Sequence, residues 1–206
     1  MSFFEAIGMI ETNLGPIDIE YWKKYHKWPA DEILNVIDDD HVVDLGSGCG
    51  LFGLYAVYQN KIGSVELWEG DSEKMEYARS LATVLGIRKQ VTFNQRFANP
   101  SDIVNKTVVS IRMGSMTNFE RFFIHNRLIT LRRTAEVEPY FVRRTFLPWD
   151  KQIIRRDDGF ELELLQHDFK KFEAILEGER WMEDLNPLLA SYRQNEKEER
   201  NIGQDI

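Results

Sequence analysis

Apolar residues in this chain come in short runs broken by glycine-rich and polar stretches, and the spacing within the runs changes from block to block. Val42-Val43-Asp44-Leu45 is a compact apolar run that ends in Gly46-Ser47-Gly48-Cys49-Gly50, and Leu51 to Asn60 is then apolar and long enough for a helix. Ser64-Val65-Glu66-Leu67-Trp68-Glu69 predicts a second strand. A second helix is expected from Ser72, capped by Asp71 or Ser72, with Met75, Ala78, Leu81, Ala82 and Leu85 on one face and Gly86 at its end. Val91-Thr92-Phe93 supplies a third strand, Asn99-Pro100-Ser101-Asp102 opens a short helix, and Thr107 to Ile111 supplies a fourth strand. Parallel strands need crossover connections. The expected fold is therefore α/β: a doubly wound, mostly parallel sheet with helices on both faces, in three layers.

The flanks are patterned differently. In residues 1–40, Tyr21, Trp22, Tyr25 and Trp28 recur at helical spacing, and Pro29 followed by Asp31 and Glu32 makes a first turn for a new helix to Ile37, ended by Asp38-Asp39-Asp40. This helical lead-in is expected to pack its aromatic stripe against the sheet; a lid across the strand ends is the functional alternative. Beyond the fourth strand, Asn118 to Leu128 reads as helix and Leu128-Ile129-Thr130-Leu131 as strand. Gln152 to Leu165, with Asp158-Gly159 at its turn, predicts an antiparallel hairpin closing the sheet. Asp168 to about Tyr192 reads as a helix and residues 193–206 as a disordered tail, so the main domain is expected over residues 41–192.

With 206 residues, 43% hydrophobic and 29% charged, the chain is large enough for one domain with a normal core. No run approaches the roughly 18 to 20 continuous apolar residues of a membrane span. Met1-Ser2-Phe3-Phe4-Glu5 has no basic segment ahead of an apolar one, so a cytoplasmic protein without membrane association is expected. Cys49 is the only cysteine, which excludes internal disulfides and any all-cysteine metal site within one chain. The formal net charge of −8 disfavours general nucleic-acid binding. Charge is uneven, however: between Arg121 and Arg156 stand nine Lys/Arg against three Asp/Glu, including Arg132-Arg133, Arg143-Arg144 and Arg155-Arg156. Solvated strand faces paired with acidic partners explain this most simply, and an anionic substrate surface is the alternative.

A strand running into a glycine turn and then a helix is a way to hold a nucleotide-type ligand: glycines let the backbone come close, and the helix start offers unpaired N–H groups. If the first two strands are parallel neighbours, Glu69 stands beside that turn, where its carboxylate can accept from two ribose hydroxyls. Two patterns overlap in the turn. Gly48-Cys49-Gly50-Leu51-Phe52-Gly53 fits a dinucleotide site, while Asp44-x-Gly46-x-Gly48-x-Gly50 places an acid ahead of three glycines. An acid there repels a pyrophosphate but suits a ligand carrying an ammonium and a sulfonium. Over about residues 41 to 111 the chain resembles the class I S-adenosylmethionine-dependent methyltransferases, on Val42 to Gly50, on Glu69 and on the helix after it. The resemblance implies S-adenosylmethionine as cofactor, its methionine part held by Asp44, Gly46, Gly48 and Gly50 and its ribose hydroxyls by Glu69, with Ser47 and Phe97 as further cofactor-binding candidates. Asp71 reads better as a helix cap.

Many class I members carry an acid after the third strand that reads the adenine amino group; here the stretch is Asn94-Gln95-Arg96-Phe97-Ala98-Asn99, with Phe97 in that place. The adenine contact is then a backbone carbonyl, an Asn94 or Gln95 amide, or stacking on Phe97. The spacing of Glu69 and Ala98 is similar to the FkbM-type subgroup, which mostly methylates oxygen, but the carboxylates of that subgroup after the fourth strand are replaced by Arg112-Met113-Gly114-Ser115-Met116. Arg112 is a candidate clamp for a substrate carboxylate or phosphate, or pairs with a neighbouring acid. Tyr140 and Trp149 are candidate pocket walls. No Asp/Asn-Pro-Pro-Tyr-like run follows the fourth strand, His26, His41 and His125 are isolated, and Cys49 reads as a small packed residue rather than a nucleophile. Methyl transfer needs alignment and dryness first, and a general base only when the acceptor arrives protonated, so a missing base does not argue against an enzyme. The expected acceptor is a small molecule or an accessible side chain; RNA, or binding of the cofactor without turnover, are the alternatives.

Overall fold

β1 (His41–Leu45) is the hub of a seven-stranded sheet in the computed structural model, which describes residues 1–10, 14, 17–99, 102–103, 105–111, 127–133, 150–156 and 161–168. β2 (Ser64–Trp68) and β3 (Val91–Asn94) lie to one side of it, β4 (Thr107–Ser110) and β5 (Arg127–Arg133) to the other, all parallel. β7 (Glu161–Asp168) runs antiparallel to β5, and β6 (Asp150–Arg155) antiparallel to β7 at the edge. The order β3-β2-β1-β4-β5-β7-β6 is the expected α/β sheet, mostly parallel and closed by a hairpin. Arg155 pairs with Glu161 at the end of the hairpin, and the expected Asp158-Gly159 turn lies outside the described residues.

β1 and β4 are buried along nearly their whole length, which is why they read as continuous apolar runs rather than alternating ones. α4 (Leu51–Tyr58) and α5 (Ser72–Val84) join β1 to β2 and β2 to β3. Both steps move the same way across the sheet, so right-handed crossovers put both helices on one face. Val65 and Leu67 point to that face: a Cβ on Gly53 of α4 would come within 2.9 Å of Val65 and 2.7 Å of Leu67. Glu66 and Trp68 point to the other. There the Arg96 guanidinium lies 4.8 Å from the centre of the Trp68 ring, Glu66 binds Lys106 and His41, and Ile103 is fully buried, so residues joining β3 to β4 cover that face. α5 follows its sequence pattern, with Asp71 accepting from the Glu73 and Lys74 N–H groups at 3.0 and 3.2 Å and Gly86 at φ 72° after its end.

The aromatic stripe of the lead-in departs from its sequence reading. α4 is apolar on every side, so burying only the stripe against the sheet would leave its outer aromatic rings in water. α1 (Phe3–Gly8) and α2 (Ile19–Trp22) supply the second cover, while α3 (Trp28–Val36) lies beside α4 and against β5 of the sheet. The Phe3 and Trp22 rings lie 5.3 and 5.5 Å from Tyr55, the Tyr55 hydroxyl donates to Asp31 at 2.9 Å, and the Tyr77 hydroxyl of α5 donates to the Ile7 carbonyl at 3.3 Å. Among the described rings of the aromatic stripe, the buried one, Trp22, thus packs on Tyr55 of α4. Pro29 stands in the first turn of α3 with Asp31 after it, as its sequence reading has it, but the helical path begins earlier. The chain stays helical from Ile19 to Val36 through a π-helical segment, Lys23–Lys27. Proline lacks an N–H and its ring crowds the carbonyl four residues back; a wider turn ahead of it accommodates both.

Among the described residues no helix is long and apolar enough to cross a membrane. The helices expected over 118–126 and after Asp168, and the tail over 193–206, fall outside the described residues.

Candidate functional site

β1 pairs with β2 on one side and β4 on the other, so the chain reverses its direction of travel across the sheet at β1, and ligands of such sheets sit outside the carboxyl ends of the strands at that point. The glycine turn occupies this position. Gly46, Gly48 and Gly50 have φ of 69°, 55° and 68°, a left-handed conformation that costs an ordinary side chain roughly 1 to 2 kcal/mol. The turn is tied to the end of β2: the Gly46 and Ser47 N–H groups both donate to the Trp68 carbonyl, at 2.9 and 3.0 Å. The Gly48 N–H donates to one carboxylate oxygen of Glu69 at 2.9 Å, and the Asp71 N–H donates to the other at 3.0 Å. Glu69 therefore stands where the parallel pairing of β1 and β2 requires, half-buried beside the turn. A carboxylate offers about four lone-pair positions, so two stay open after these bonds.

Asp44 lies beneath the turn. It is 3% exposed and accepts from the Gly53 N–H at 3.2 Å. Gly53 is the third residue of α4, and Gly50 at the helix N-cap has no side chain to offer, so Asp44 supplies the cap from the neighbouring strand. Burial pushes its pKa up to about 7; the Gly53 bond opposes this and the charge of Glu69 adds to it. The two acids thus converge on one turn, but with unequal access: in this state Asp44 holds the helix, and only Glu69 reaches the rim.

The glycines divide in the same way. A Cβ at Gly46 or Gly48 would meet nothing within 4 Å, whereas at Gly50 it would meet Leu67 at 2.7 Å and Ala78 at 3.1 Å. The first half of the turn is an open backbone cradle. Ser47 Oγ in the turn and Asn94 Nδ2 at the end of β3 are buried without a hydrogen-bond partner. Buried polar atoms are nearly always paired, so these two are places where a bound molecule's polar atoms would be welcome. Phe97 is 85% exposed with its ring against Gly70, some atoms within 2.9 to 3.2 Å of where a Gly70 Cβ would stand, next to Glu69. Asn94 is one of the candidate adenine contacts read from the sequence, whereas Gly70 carried no signal beyond its adjacency to Glu69.

Other candidates resolve as follows. Arg112, Tyr140, Trp149, Arg143 and Arg144 lie outside the described residues, as do the side chains of Arg132 and Arg133. Arg127 pairs with Asp38 and Asp39 and donates to the Val36 carbonyl at 2.7 Å; Arg155 pairs with Glu161; Arg156 donates to the Lys24 carbonyl at 2.8 Å and lies over Trp28. Burial pushes the Cys49 thiol up, which keeps it protonated and a poor nucleophile. His41 bonds Ser64 and Glu66 at 2.8 and 2.9 Å, at the amino ends of the strands and away from the turn. Among the described residues no group of three or more His, Cys, Asp and Glu is placed to hold a metal ion.

No protein-family model and no curated protein sequence matches this chain. Solved structures do. The precorrin-6y C5,15-methyltransferase of Geobacter metallireducens matches with a TM-score of 0.54 at 13% identity, over 70% of this chain and 89% of that one. An RNA methyltransferase from Salinibacter ruber, solved with S-adenosyl-L-homocysteine, matches with a TM-score of 0.52 at 20% identity, over 68% and 91%. The Bacillus subtilis tRNA methyltransferase TrmK matches with a TM-score of 0.51 at 13% identity, over 67% of this chain and 64% of its own length, so about two thirds of that protein is represented here. The fold of this chain is that of the class I S-adenosylmethionine-dependent methyltransferases.

Proposed function

We propose that this chain is an S-adenosylmethionine-dependent methyltransferase acting on a small molecule or an accessible side chain. The observation that carries the proposal is the glycine turn at the switch point, with Gly46 and Gly48 left-handed and facing open space beside the Glu69 carboxylate. The residues present suit the cofactor. The open cradle admits a ligand against the backbone, the unpaired Ser47 hydroxyl awaits a polar atom, and the free lone pairs of Glu69 accept hydroxyl donors. Asp44, beneath the turn, attracts a cationic group laid on it, and such a group in turn favours the ionised carboxylate. One protein sharing the fold has been solved with S-adenosyl-L-homocysteine, which supports the same reading.

When bound, S-adenosylmethionine supplies a methyl group on a sulfonium, an electrophile that needs no further activation. The work left to the chain is positioning and exclusion of water. Glu69 and the turn fix the ligand at the strand ends, and the Trp68 carbonyl keeps the turn from opening by accepting two of its N–H groups. An acceptor that arrives unprotonated then needs alignment alone. Among the arginines between Arg121 and Arg156, the described side chains of Arg127, Arg155 and Arg156 are engaged within the chain. Matches of the same fold act on tRNA, RNA and precorrin by name, so the fold by itself does not select an acceptor.

The test is transfer of label from methyl-labelled S-adenosylmethionine into fractionated cell extract by the purified chain. Label in the small-molecule or protein fraction, lost in Glu69→Ala, is the expected result. Label confined to RNA would replace the acceptor class, and binding of the cofactor with no label in any fraction would leave a binding domain without turnover.

A further inference from the structure

The end of β3 carries no free carboxylate among the described residues, and what stands there instead is uncharged. The Asn94 carbonyl accepts the Glu69 N–H at 3.1 Å, and the Gln95 amide oxygen accepts from Arg79 at 3.1 Å. Arg96 and Asp102 are locked together by two bonds of 2.8 and 2.9 Å. This leaves the unpaired Asn94 side-chain amide and the Phe97 ring. Gly70 lets the tip of that ring come against the backbone one residue from Glu69, since any side chain there would collide with it. An 85% exposed phenylalanine is unfavourable in water, and its open face is a platform of the size and polarity of a planar base. Resting on the cofactor reading above, we propose that this chain holds the cofactor's base by stacking on Phe97 over Gly70, with a neutral amide at its edge, and so scarcely distinguishes a 6-amino from a 6-oxo purine.

The physical reason is charge. A carboxylate accepts strongly from an exocyclic amino group and repels a carbonyl oxygen, which makes it a reader of the 6-position. An amide has both donor and acceptor and can meet either substituent by rotating, while a ring face is indifferent to both.

The experiment is calorimetric titration of S-adenosylhomocysteine and its 6-oxo analogue, S-inosylhomocysteine, into wild type, Phe97→Ala and Phe97→Trp. Because Phe97 is exposed, its truncation leaves the core intact, which a melting curve checks. The expected results are dissociation constants for the two ligands within about tenfold of each other in wild type, a loss of about tenfold or more for both in Phe97→Ala, and retention in Phe97→Trp. A wild-type preference for the 6-amino ligand beyond tenfold, or unchanged affinity in Phe97→Ala, would overturn the stacking assignment while leaving the cofactor reading standing. Failure of wild type to bind either ligand would overturn both.

Discussion

The two halves of the glycine turn look alike in sequence and do opposite work. Gly46 and Gly48 are left-handed with nothing near the missing side chain, while Gly50, equally left-handed, is pressed against Leu67 and Ala78, and Gly53 against Leu67, Val65 and the Asp44 carboxylate. One half is small so that something else can come close. The other is small because the helix must sit down on the sheet. The acids divide the same way, with Asp44 buried under the packed half and Glu69 tied to the open half. A motif that reads as one binding signature is therefore a structural half joined to a ligand half, and substitutions should separate them.

The largest effect is expected at Gly50. In Gly50→Ala the new methyl meets the fixed Cβ of Ala78 and a buried Leu67, in addition to backbone strain, so a stability loss of about 2 to 4 kcal/mol is expected by chemical denaturation. Asp44 comes next. Between its unfolded value near 3.8 and its folded value of about 7, the folded chain keeps a proton that the unfolded chain has released. Stability from this group therefore falls as pH rises through that window, by roughly 2 kcal/mol between about pH 5 and about pH 8. Asp44→Asn keeps an acceptor for the Gly53 N–H and should abolish this component, flattening the pH–stability curve relative to wild type. A cationic ligand on the turn favours ionised Asp44, so wild-type affinity for S-adenosylmethionine should instead rise with pH over the same range. The smallest effect on stability is expected at the open half: Gly48→Ala meets no neighbour and carries about 1 kcal/mol of backbone strain, yet should impair ligand binding more than Gly50→Ala does at a temperature where both are folded. Equal losses of binding at the two positions would erase the distinction between the halves.

Much of the fold was legible because burial on both faces writes itself into β1 and β4 as apolar runs, and because Asp71 and Gly86 punctuate α5 as a cap and a stop should. Glu69 was placed beside the turn by the requirement that β1 and β2 be parallel neighbours. The outer helical layer was written less directly. Its signal was α4, whose Phe52, Leu54, Tyr55, Ala56 and Val57 are all buried and point in every direction, which demands a cover on both sides. Pro29 was legible as a first-turn residue of α3, but not that a π-helical segment joins that helix to the one before it without a break. The role of Asp44 was only half legible: sequence marks an acid at a strand end, but that it would cap α4 through Gly53 depends on a contact between elements that no local pattern encodes.

The proposed function stands or falls on whether the open half of the turn and Glu69 hold one ligand together. Calorimetric titration of S-adenosylhomocysteine near pH 8 into wild type and Glu69→Ala decides it: the expected result is saturable one-to-one binding weakened in the variant by about 1 to 3 kcal/mol. Absence of binding by wild type, or the same affinity in both proteins, would contradict it.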